Sequence, residues 1–289
     1  MKKILIIGLF VLMLVIPVAS AFDLSIEKQS DNPISTMQDF THTVFIEYGT
    51  LTTCPPCVTA SSQLFSIYNS GDLDFEYTTL VYDEGNINIR GRLVELGVVA
   101  VPDVFFDAGY LRIKGSQGSE LPYRNAIAQS GERDVADLDM NVEVVWLGGG
   151  KLDIGITVVN NENEEFNGQI RTYIVEKDSR WNDYSGNPYH YTALDIPIDK
   201  NLAVVKNTAR PKGETYTFSK TWRGGMLGFE DITKDNILVI ASVFDKDTGY
   251  VVQTAAAEPT VKFSNHRPIN FMLNKILERF QILERILNL

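Results

Sequence analysis

Only two cysteines occur in 289 residues, and they stand three apart in Cys54-Pro55-Pro56-Cys57. A secreted chain stapled by structural disulfides spreads its cysteines along the sequence. A single close pair points instead to one local piece of thiol chemistry. Proline suits the first turn of a helix, where its missing N–H is not needed. Val58, Leu64, Phe65 and Tyr68 carry helix-like apolar spacing, and Gly71 suits the helix stop. Cys54 therefore precedes a helix start, where the macrodipole and free N–H groups stabilise a thiolate. Cys57, one turn later, can reach back and close an intramolecular disulfide. In this scheme Cys54 is the nucleophile and Cys57 resolves the mixed disulfide. The two prolines also remove two N–H donors, and no His or Lys stands in the motif. The expected potential lies between the strongly oxidising and strongly reducing extremes.

Three readings of the pair are open: half of a zinc site, an inert structural disulfide, or a redox couple. Structural zinc usually takes four ligands. His42, His190 and His266 are scattered and there is no second cysteine pair, so no metal is assigned. The flanking elements favour the redox couple, which needs no cofactor because the sulfurs carry the electrons.

The N-terminus has the form of an export signal. Lys2 and Lys3 precede an apolar run over residues 4–18, and Ala19-Ser20-Ala21 fits a small-x-small cleavage site. The run is short for a bilayer span of about 20 residues, although an uncleaved signal-anchor is the alternative. Either way the rest of the chain is expected outside the cytoplasm, where disulfides persist. The net charge is −11, and no basic cluster offsets it. Such a chain repels phosphate backbones, which disfavours nucleic-acid binding.

Residues 22–42 read as a polar leader segment. Strands are expected over 43–48 and 75–82, a helix over 87–96 closed by Gly97, and a strand region over 98–106 interrupted by Pro102. Asp107-Ala108-Gly109 reads as a turn, 110–114 as a return strand and 121–130 as a helix. From Asp137 the texture changes. Strand-like runs at 138–146, 152–159, 170–175, 201–206, 216–222, 237–244 and 250–255 lack helical periodicity and indicate a β-sandwich. The segment 180–191, rich in Tyr, Trp and Asn, reads as a long loop that could contact a partner.

The run Val44-Phe45-Ile46-Glu47-Tyr48, then Cys54-Pro55-Pro56-Cys57, then Val99-Ala100-Val101-Pro102-Asp103, resembles the thioredoxin superfamily over roughly residues 41–130. The resemblance implies a cis Val101-Pro102 bond facing the sulfurs, with the Val101 backbone turned toward an extended substrate peptide. It also implies a buried acid that takes a proton from the second cysteine. Glu47 either plays that role for Cys57, with a raised pKa, or is a surface-facing or capping glutamate. Thr53 departs from the family, which commonly has tryptophan before the first cysteine. The second half is similar to exported bacterial proteins, often labelled outer-membrane-protein-related, in which a thioredoxin-like domain precedes an Ig-like sandwich. The expected fold is thus an α/β thioredoxin-like domain over 43–131, an all-β Ig-like sandwich over 136–258, and an amphipathic helix over 266–289.

That tail helix carries apolar residues at Ile269, Leu273, Ile276, Phe280, Leu283 and Leu287, stepping by four and three. A membrane interface, a second copy and the chain's own domains are its candidate partners. Asp245-Lys246-Asp247-Thr248-Gly249 lacks the third acid and distal Glu of a calcium loop and reads as a hairpin turn. The function expected is an extracytoplasmic thiol–disulfide oxidoreductase acting on polypeptide thiols and disulfides, recycled by a further redox partner. The alternative is a cell-surface binding or adhesion protein in which the CxxC is a structural disulfide.

Overall fold

The computed structural model describes residues 40–204 and 215–261. The expected export segment 1–21, the expected leader up to residue 39 and the expected tail helix 266–289 lie outside the described residues.

Strand β1 (Val44–Thr50) is buried along its whole length. It pairs in parallel with β2 (Phe75–Val81), from Val44↔Phe75 to Thr50↔Val81. Helix α1 (Pro55–Ser70) joins them and stops at Gly71, whose φ of 66° gives the left-handed cap that a side chain would resist. Helix α2 (Ile87–Glu95) starts where the Asn86 side chain accepts from the N–H groups of Asn88 and Ile89. Strand β3 (Asp103–Phe106) begins only after Pro102, which has no N–H for a ladder. It runs antiparallel to β1 and to β4 (Leu111–Lys114), and helix α3 (Leu121–Gly131) follows.

Alternation along β1 assigns its two faces. Val44, Ile46 and Tyr48 pack with Leu64 and Ile67 of α1 and Tyr123 and Ile127 of α3. Phe45 points the other way, into a different core.

The remaining strands are β5 (Leu138–Gly148), β6 (Lys151–Asn160), β7 (Phe166–Asn182), β8 (Pro188–Val204), β9 (Thr215–Arg223), β10 (Ile237–Asp245) and β11 (Val251–Ala257). Here the expectation of a thioredoxin-like domain followed by a separate Ig-like sandwich fails. Among the described residues strand outweighs helix, and a mixed sheet of eight strands, ordered β11-β10-β7-β8-β2-β1-β3-β4, runs through both halves. Strands β7 and β8 are 17 residues each, and β8 joins β2 at Thr79↔Thr192. The segment read as a loop over 180–191 is the far end of this hairpin.

The physical reason is a shared core. Phe45, Leu80, Ile89 and Leu93 from β1, β2 and α2 pack with Tyr173, Val175, Leu238, Ile240, Phe244 and Val251 from β7, β10 and β11. Burying each large apolar side chain is worth roughly 1.5–3 kcal/mol, so parting the halves would expose what stabilises both. A second sheet, β5-β6-β9, covers the opposite face of the β-rich half. Its Leu152, Ile154 and Ile156 meet Ile170, Ile174, Leu194, Ile198 and Val239.

Among the described residues no helix is long and apolar enough to cross a membrane. The Asp245 turn is a hairpin turn: its Oδ1 accepts from the N–H groups of Asp247 and Thr248 and from the Thr248 hydroxyl.

Candidate redox site

Cys54 is the N-cap of α1 in extended conformation, with prolines at the first helical positions and no side-chain capping bond. Cys54 and Cys57 form a disulfide. Their exposures differ: Cys54 retains 7% of its surface and Cys57 none. Thr53, Pro55 and Pro56 beside them are exposed. The first turn of α1 carries no acid, so no negative side chain there opposes a thiolate at Cys54. The Cys57 N–H, the first that the prolines leave, donates to Cys54 O at 3.2 Å.

The Val101-Pro102 bond is cis. Cys54 Sγ lies 3.9 Å from Val101 O, a close approach rather than a hydrogen bond, because the disulfide sulfur has no proton to give. Pro102 is buried and Val101 half-buried, while Val99 is 87% exposed. The loop is fastened at its base. Buried Asp103 takes two hydrogen bonds from Arg112 of β4, one at 2.8 Å. Arg112 also reaches Gly97 O at 3.0 Å, and the Gly115 N–H donates to Pro102 O. The segment before Cys54 is held as well: the Thr52 N–H donates to both carboxylate oxygens of Asp83 at 3.1 Å.

Glu47 is not near the sulfurs' side of the sheet. It is fully buried, on the β1 face opposite α1, and the Arg92 guanidinium clasps it with bonds of 2.7 and 2.6 Å. The Tyr173 hydroxyl donates a third at 2.6 Å. Burial pushes the carboxyl pKa up, but the charge and hydrogen bonds of Arg92, with Tyr173, outweigh it and hold the value below the ordinary 4.5. A committed carboxylate of lowered pKa on the far face does not match the raised-pKa acid expected for Cys57. Its geometry is that of a buried ion pair between β1, α2 and β7.

What faces Cys57 is a set of hydroxyls. Tyr48 Oη donates to Cys57 O at 2.8 Å and lies 3.3 Å from Thr50 Oγ1, which is 2.9 Å from Tyr189 Oη. Sequence reasoning did not single out Tyr48, Thr50, Tyr189, Asp103 or Arg112. The signals that could have found two of them are the alternation along β1, which puts Tyr48 on the α1 face, and the charge of Asp103 within an apolar run. Tyr189 lies in the Tyr-rich segment 180–191 that reads by sequence as a partner-contacting loop, and nothing in the local pattern ties it to Cys57, 132 positions earlier in the chain. Among the described residues, no group of three or more His, Cys, Asp or Glu could hold a metal ion.

No family model matches the chain, and no curated protein does. Among solved structures, HBP35 of Porphyromonas gingivalis matches with a TM-score of 0.57 at 14% identity, covering 76% of this chain and 78% of that one. A protein from Agrobacterium tumefaciens gives 0.45 at 14% identity, over 78% of this chain and 98% of its own. A domain of the outer membrane lipoprotein Omp28 from Porphyromonas gingivalis gives 0.27 at 15% identity, over 45% and 94%. The last two scores are too low to argue from. At its level of identity the likeness to HBP35 is one of fold alone, extending over about three-quarters of each chain.

Proposed function

We propose that the protein is an extracytoplasmic thiol–disulfide oxidoreductase that exchanges disulfides with polypeptides through Cys54 and Cys57. One observation carries the reading: a disulfide at a helix N-terminus whose first cysteine keeps some surface beside the Val101-Pro102 loop, while the second is sealed behind it. That asymmetry suits a division of labour. The Cys54 thiolate attacks a substrate disulfide, forming a Cys54–substrate bond and releasing one substrate thiolate. Cys57 then attacks Cys54 Sγ, closing the protein disulfide and releasing the second. Reduction of the substrate is balanced by oxidation of the protein dithiol, and the reverse sequence oxidises a substrate. The exposed Val99 and the Val101 backbone offer an extended peptide a surface beside Cys54. The N-terminal signal pattern supports a location outside the cytoplasm.

The near-complete burial of both sulfurs favours one rival, a surface binding protein with an inert disulfide. Insulin-reduction and oxidative-refolding assays on wild type and Cys54→Ser separate the two. The proposal expects activity in at least one assay, lost in the variant; no difference between the proteins in either assay supports the rival.

A further inference from the structure

A chain of hydroxyls joins the backbone on one side of the Cys54–Cys57 pair to the backbone on the other. It begins at Leu51 O, which accepts the Cys54 N–H at 3.3 Å and the Tyr189 hydroxyl at 2.9 Å. It passes through Thr50 Oγ1, 2.9 Å from Tyr189 Oη and 3.3 Å from Tyr48 Oη, and ends where Tyr48 donates to Cys57 O at 2.8 Å. Both tyrosines give their protons to carbonyls, so the single Thr50 proton serves one neighbour, Tyr189 Oη at 2.9 Å, and Tyr48 Oη at 3.3 Å is a close contact without a proton between. Tyr48, Thr50 and Tyr189 are each fully buried. Burial pushes both phenol pKa values up, so both remain proton donors at neutral pH.

Two of these residues are local to the motif, but Tyr189 arrives on β8. Its neighbour His190 stacks on Phe65 of α1, ring centroids 3.5 Å apart. The end of the long hairpin therefore rests on the helix that carries the cysteines.

We propose that Tyr48 and Tyr189 are positioning residues of the redox couple, and that the β8 hairpin thereby helps set how readily the disulfide closes. The inference rests on reading the pair as a redox couple. Opening the disulfide frees Cys54 and Cys57 to move apart. Holding the carbonyls before Cys54 and at Cys57 restricts that freedom and keeps each thiol at a high effective concentration toward the other. In the closing step Cys57 thiolate attacks Cys54 Sγ of a mixed disulfide. The Cys54–Cys57 bond forms, the bond to the partner sulfur breaks, and the departing thiolate takes a proton from solvent. Loosening the clamp lowers the equilibrium constant for closure.

The test is the equilibrium of the full-length protein against glutathione buffers, read by thiol alkylation and mass. Tyr189→Phe and Tyr48→Phe keep the rings and remove the hydroxyls. Thr50→Val opens the chain at its middle should either tyrosine variant fold poorly. Each is expected to lower the closure constant three- to tenfold; a tenfold change makes the potential about 30 mV less negative. The double variant is expected to lose little more than either single one, because the clamp acts only while both carbonyls are held. Tyr173→Phe, whose lost hydrogen bond lies on the opposite sheet face, changes stability without moving the potential. Closure constants of Tyr189→Phe, Tyr48→Phe and Thr50→Val all within twofold of wild type overturn the inference. Glutathione equilibration needs no polypeptide substrate. Wild type inert in the insulin and refolding assays would therefore count against the functional reading, while the potentials still decide the clamp.

Discussion

Glu47 shows how much one side chain's facing decides. It shares its strand face with Phe45, and Val44, Ile46 and Tyr48 take the other, so period-two alternation alone turns it away from α1. A buried carboxylate persists only with partners, and Arg92 with Tyr173 supplies them. Glu47→Gln leaves Arg92 short of its counter-charge and is expected to cost about 3–5 kcal/mol in denaturant unfolding, with the Cys54–Cys57 potential unchanged. Because the folded pKa lies below 4.5, the folded state holds fewer protons than the unfolded one in that range. The contribution is present above the unfolded value and lost as pH falls through the folded one, so the variant lacks this part of the wild-type acid limb.

Glu76 has the opposite sign. Burial, with some help from Asp74, pushes its carboxyl up to about 7, although the Tyr68 hydroxyl donates to it. The folded state then holds the proton more tightly than the unfolded chain, and stability declines as pH rises from 4.5 to about 7. Glu76→Gln is expected to remove that decline and to exceed wild type by about 3 kcal/mol at pH 8. Thermal unfolding of both proteins from pH 4 to pH 8 checks it; parallel profiles contradict the assignment.

At the scale of elements, α2 depends on Asn86. Its side-chain oxygen caps two N–H groups, and its amide donates to Leu194 O and to Asp195 of β8. Asn86→Ala is expected to cost about 1–2 kcal/mol, with faster amide exchange in the first turn of α2 as the local signature. The helices were legible because punctuation bounds them. Pro55 with Gly71 bounds the first and Gly97 closes the second, expected over 87–96, where the structure has Pro55–Ser70 and Ile87–Glu95. The long hairpin was not legible. Register shifts at Thr172/Ile174, Ile174/Val175 and Asp178/Asn182 break the alternation that would have marked it. The Thr79↔Thr192 pairing joins residues far apart in sequence, which no local pattern records. Tyr189 and its part in the site were hidden for the same reason.

For the whole molecule, the shared core between β1, β2, α2 and β7, β10, β11 decides whether the halves behave as one body. Ile240 is fully buried in it. Ile240→Ala is expected to cost about 2–5 kcal/mol and to shift a single cooperative transition. Tryptophan fluorescence, from residues all in the β-rich half, and far-UV circular dichroism should move together. Two separated transitions would mean that the halves unfold independently. This joining also gives the further inference its meaning, since a hairpin from the β-rich half can steady the cysteines only if the halves move as a unit.

The account rests most on Cys54 being a nucleophile that a folded protein can offer to a visiting chain. Cys57→Ser, reduced and folded, should capture a disulfide-bonded peptide as a stable Cys54 mixed disulfide, visible by non-reducing mass spectrometry and absent from Cys54→Ser. An adduct that forms only after denaturant is added, or none at all, would contradict it.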